Sequence, residues 1–139
     1  MPDVSQSIRT RLLATSAVTD LVGQRIASDQ LPQGVALPAI TYFVVDTEAN
    51  ETLANIADVS RARIQVDSYA TTRGQANSVS DAVRLALQMF RGLIGDQFIN
   101  SIQLASGERH LTDPAPAGTD QHRFVTSLDF FVFYRTTTS

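Results

Sequence analysis

The sequence predicts an α+β domain, a mainly antiparallel or mixed sheet of four to five strands with two helices packed on one face. Three observations carry this. Two stretches have apolar residues at helical spacing, and several runs alternate at a period of two. The chain of 139 residues suits one domain, read as spanning 1–139 with a short frayed tail at about 136–139.

The first helix follows Asp3, a candidate N-cap with Gln6 placed three residues on to complete a capping box. Val4, Ile8 and Leu12, with Leu13 beside them, form its apolar stripe. "SAVTDLVG" continues or restarts the helix, with Ser16 as the cap of a restart and Gly23 placed to end it. "RI" then offers a short edge strand, and "SDQLPQGVALP" is loop chemistry. "AITYFVVD", residues 39–46, is the first strong strand, with Ile40, Tyr42 and Val44 on one side and Phe43 and Val45 on the other. A long polar segment, "TEANETLANIADVS", joins it to the strand containing "RIQVDSYA".

The second helix starts at Thr72, with Gln75 completing a capping box. Ala76, Val79, Val83, Leu87, Phe90 and Ile94 give it a stripe, and Gly92 or Gly95 is expected to end it. "QFINSIQLA" is a further strand, with Phe98, Asn100, Ile102 and Leu104 assigned to one side. "SGERHLTDPAPAGTDQ" is expected to be loop, and "HRFVTSLDFFVFYRT" the long final strand.

That final strand poses the problem of the chain. Its second half is apolar on both faces, as are residues 40–45. Strands of that kind need cover on both sides, and two helices cover about one face of such a sheet. The remainder is covered either by the chain's own loops and twist or by a neighbouring copy. Meanwhile Arg61, Arg63, Gln65 and Asp67 put polar groups on the second face of the preceding strand, which is expected to be half wet.

Composition narrows the function. A net charge of −3 argues against a nucleic-acid-binding face. All eleven basic residues are arginine, whose planar fork suits interfaces. Without cysteine there is no disulfide framework, thiolate nucleophile or thiolate metal site. No apolar run reaches membrane-spanning length, and "MPDVSQSIRT" lacks the pattern of a secretion signal. The expectation is a chain used in a cytoplasm or inside something assembled there, with no membrane.

Candidate chemistry is sparse. His110 and His122 bracket Asp113 and Asp120 without local metal-ligand spacing, and read as solvated loop residues. Ser106-Gly107 is no nucleophile elbow. "GLIG" at 92–95 reads as a helix C-cap rather than a nucleic-acid-binding glycine loop. No pair of acids is fixed as general acid and base. Hence no catalytic residue, cofactor or metal is assigned, and no enzyme is expected.

The order of landmarks resembles the tail-completion or tail-terminator proteins of long-tailed bacteriophages, the group that includes lambda's minor tail protein U. Those landmarks are the N-terminal helix leading into "VTDLVGQRI", then "LPQGVALPAITY", "RARIQVDSYATTRGQANSVSDAV", and "RHLTDPAPAGTDQHRF" before the aromatic last strand. The resemblance implies a virion protein assembled in the bacterial cytoplasm, a homohexameric ring. It would cap the tail-tube protein, end tube polymerisation and meet the head-tail connector or stopper, with genomic DNA passing through the lumen without sequence-specific binding. On that basis Arg61, Arg63, Asp67, Phe131 and Phe133 are assigned to the subunit interface. Asp46, Glu48, Glu51 and Asp58 are assigned to a lumen- or tube-facing loop. Alternatives are another neck ring or a tail-tube subunit and, in a different class, a small ligand-binding dimer, with an enzyme third.

Overall fold

The computed structural model describes residues 4–48, 59–88, 90–105, 107–113 and 123–136. Helices α1 (Val4–Leu13), α2 (Ser16–Val22) and α3 (Arg73–Leu87) are joined by strands β1 (Ile26–Ser28), β2 (Ala39–Glu48), β3 (Ser60–Ala70), β4 (Gly92–Ile94), β5 (Gln97–Leu104), β6 (Arg109–Asp113) and β7 (Arg123–Thr136). The strands form one sheet in the order β1-β2-β3-β7-β5-β4, with β6 paired to β7. Only β1–β2 is parallel; the other pairings are antiparallel. The α+β class is as expected, but among the described residues there are three helices and seven strands. The extra elements are short: the first helical region breaks at Ala14–Thr15, and β1 and β4 have three residues each.

All three helices lie over the same face of the sheet. Val4, Ile8, Leu12, Val18, Val22, Val79, Val83 and Leu87 meet Ile40, Tyr42, Ile64, Val66, Ile102, Leu128, Phe130 and Val132 in one buried cluster. Burying each large side chain stabilises the fold by about 1.5–3 kcal/mol. The stripes that predicted α1 and most of α3 are therefore the surfaces that make the core.

Local chemistry sets the element ends. Thr72 caps α3, its hydroxyl accepting from the Gln75 amide at 3.1 Å. Gly23 ends α2 with φ 59°, its amide reaching the Thr19 carbonyl at 2.8 Å. Ser16 is not the cap of α2: Thr15 holds that position, and its hydroxyl instead donates back to the Arg11 carbonyl. The Asp3–Gln6 box falls partly outside the described residues.

Four expectations fail for traceable reasons. α3 stops at Leu87, with Gln88 extended, so Phe90 and Ile94 are not helical. They still pack against the core from the following segment, which is why they imitated a continuing stripe. "GLIG" is consequently no helix cap: Gly92–Ile94 is β4, and Gly95 with φ 60° starts the two-residue turn into β5. In β5 a bulge lies between Ile99 and Ser101. The extra residue shifts the alternation, so Ile99 rather than Phe98 joins Ile102 in the core. Finally, residues 109–113 of the expected loop form β6, which continues the line of β5 along the same edge of β7.

Candidate assembly surface

The face of the sheet opposite the helices carries Phe43 and Asp46 of β2, Arg61, Arg63, Gln65 and Asp67 of β3, Phe98 of β5, Arg109 of β6, and the odd-numbered residues of β7. It falls into two regions that follow the length of β7.

The first surrounds residues 125–129 and is polar yet closed to solvent. Thr41, Asp67, Ser127 and Asp129 are all buried, and they sit side by side through the pairings Thr41↔Asp67 and Asp67↔Ser127. A buried carboxylate is tolerated only with charge-assisted partners. Asp129 has two: Arg63 at 2.7 Å from β3 and Arg109 at 2.6 Å from β6. Arg109 also donates to the Ser127 hydroxyl at 3.0 Å. Both oxygens of Asp67 accept from one nitrogen, Gln65 Nε2, at 3.0 and 3.2 Å. The expectation of a wet polar half-face on β3 is thus overturned at Asp67, because hydrogen bonding, not solvation, satisfies its charge.

The second region surrounds residues 131–135. It is aromatic, yet Phe131, Phe133 and Phe98 remain half-exposed. Arginines lie over the rings: Arg61 is 4.8 Å and Arg63 5.6 Å from the Phe131 centroid. Arg135 and Arg91 stand 4.9 and 5.4 Å from that of Phe98. Such stacking contributes about 0.5–1 kcal/mol per contact at exposed sites, and the guanidinium planes cover apolar surface that would otherwise face water.

The edge at β6 is fastened separately. Arg73, the first residue of α3, donates to the Leu111 carbonyl at 2.7 Å and the Val125 carbonyl at 2.8 Å. Its guanidinium also lies 3.4 Å from the His110 ring and 5.4 Å from the Phe124 centroid. His110 approaches Glu108 at 3.4 Å. This clamp was not foreseen, since it depends on β6 being a strand.

Of the residues assigned from sequence, Arg61, Phe131 and Phe133 therefore share one half-open surface. Arg63 reaches that surface but is ion-paired within its own chain, and Asp67 is in the closed region. Asp46 is exposed on β2, opposite Arg63 across a bulge. Glu51 and Asp58 lie outside the described residues, as does His122, and the side chain of Glu48 is not described. Among the described residues, no group of three or more His, Asp or Glu residues is placed to hold a metal ion. Among those residues, too, no helix is long and apolar enough to cross a membrane.

A helix-backed sheet with an arginine-dressed aromatic surface on its far side defines a small α+β protein. Comparison with known proteins makes this specific. The chain belongs to the family described as tail completion protein gp17, which matches residues 6–128. It is a structural protein of the bacteriophage virion, a component of the tail. No curated protein matches it. Among solved structures, its fold is similar to a chain of "Virion of native gene transfer agent (GTA) particle", with a TM-score of 0.63 and 12% identity over 94% of each chain.

Proposed function

We propose that the protein closes into a ring, a homohexamer, on the last turn of the tail tube. There it ends tube polymerisation and presents its other surface to the head-side connector or stopper, while genomic DNA passes through the hole. The observation that carries this reading is the half-exposed aromatic surface around Phe131 and Phe133. Among the described residues of a single copy, arginine side chains lie over it, and a neighbouring subunit would complete its cover. Heterologous contacts of this kind close into rings when the rotation permits.

In the ring, Phe131, Phe133 and Arg61 contact the neighbour. Arg63 acts through the rings it overlies and through Asp129, and Asp67 supports the surface from within its own chain. The acidic segment holding Asp46, Glu48, Glu51 and Asp58 faces the tube or the lumen, where negative charge repels the DNA backbone and lets it slide.

Deletion of residues 49–56 tests the loop assignment. The expected outcome is a folded subunit that fails to cap tails, seen as overlong or headless tails in negative-stain images. Normal virions would sink it. Closed rings rather than open polymers in sedimentation separate a terminator from a tube subunit.

A further inference from the structure

Arg91 and Arg135 are both exposed, and both guanidinium groups stand over one ring, that of Phe98, as Arg61 and Arg63 do over Phe131. Arg63 and Arg109 likewise converge, but on the carboxylate of Asp129. Neither Arg91 nor Arg135 forms an ion pair with a described residue. Two like charges are thus gathered over a half-buried aromatic, and among the described residues no carboxylate pairs with either. The register places Leu93 directly across from Phe98, and Leu93 is 61% exposed. β4, which carries Leu93, is the terminal strand of the sheet.

We infer that Arg91, Leu93, Phe98 and Arg135 form a docking patch for a carboxylate-bearing surface of a second copy of this chain. This rests on the ring reading above and specifies a contact within it. Charge complementarity supports the choice of occupant. The chain has 14 Asp and Glu against 11 basic residues, so with this pair of arginines set aside the rest of the molecule is more acidic still. A neighbour therefore offers carboxylates to the patch, and opposite-sign patches on different parts of one subunit produce a heterologous, ring-forming contact. Exposed Leu93 and the Phe98 ring favour a protein surface over a sugar-phosphate backbone, which offers them far less apolar surface. The patch also continues the aromatic stripe of Phe131 and Phe133 toward the sheet edge, since Phe98 pairs with Arg135 and Ser101 with Phe133.

The test is the full-length double variant Arg91→Glu with Arg135→Glu, compared with wild type and with Arg91→Lys plus Arg135→Lys. Circular dichroism reports folding, and sedimentation with and without purified tail tubes reports assembly. The expected result is a normally folded double-Glu variant whose assembly is weakened at least ~10-fold, with the double-Lys variant within a few-fold of wild type. Wild-type assembly should also weaken with added salt. If wild type forms rings and the double-Glu variant forms them equally well, the patch assignment is overturned while the ring reading stands. If wild type forms no closed assembly even on tail tubes, both fall. Salt-sensitive binding of wild type to a DNA duplex, lost in the double-Glu variant while rings persist, would overturn the patch as a protein contact.

Discussion

Phe130 and Phe131 are adjacent on β7 and chemically identical, yet they belong to different parts of the molecule's physics. Phe130 is 1% exposed, packed between the sheet and the helices. Phe131 points the other way, half-open beneath Arg61 and Arg63. Two residues before Phe131 on that same outer side, Asp129 is only 3% exposed. Hydrophobicity therefore orders the helix-covered face but not the other, where a carboxylate is closed off and aromatic rings are left open. The difference follows from which elements bear on each face. Three helices seal the first, whereas among the described residues the second is covered by arginines of β3, β6 and β7 and by Arg91.

Replacing Phe130 with Ala should produce the largest loss of subunit stability, about 3–5 kcal/mol, because it opens a cavity in a core that cannot fully collapse. Urea unfolding of the isolated protein measures this. A loss below about 1 kcal/mol would mean that the helix-covered face is not the main core. Asp129→Ala comes next, at about 2–4 kcal/mol. It leaves Arg63 and Arg109 facing one another without their shared carboxylate, and the partial exposure of both arginines keeps the loss below that of a fully buried pair. Hydrogen exchange should show β6 losing protection in this variant, since Arg109 is its link to the outer side of β7. Phe133→Ala should have the smallest effect on the subunit, about 1–2 kcal/mol for a half-buried ring. Its effect on ring formation, read by sedimentation on tail tubes, should be much larger than its effect on melting. Equal loss of both would make Phe133 a residue of the subunit core instead.

Much of the fold was legible because residues near in sequence carried it. The stripe Val4, Ile8, Leu12 and the stripe Ala76 to Leu87 announced two helices, Thr72 marked the start of α3, and Gly23 the end of α2. The alternation in β2, β3 and β7 was equally plain. Where legibility failed, geometry beyond a local window decided. Phe90 and Ile94 kept helical spacing while sitting outside the helix, because both face the same core from the segment that turns back into the sheet. A single inserted residue in β5 reversed the sides of Phe98 and Ile99. β6, with Glu108, His110 and Asp113 in or beside it, has no apolar alternation to reveal it and is a strand because β7 offers it an edge.

The candidate assembly surface divides in the same way. That the second half of the last strand is apolar on both sides could be read from "DFFVFY" alone, since the period of a strand is fixed by its covalent geometry. Which arginines cover those rings, that Arg63 turns to Asp129 while Arg91 and Arg135 meet over Phe98, and that Asp67 is shut away from water, depend on strands brought together from distant parts of the chain. Alternation is a property of the backbone and survives in the sequence. Pairing across strands is a property of the register, and only the folded sheet sets it.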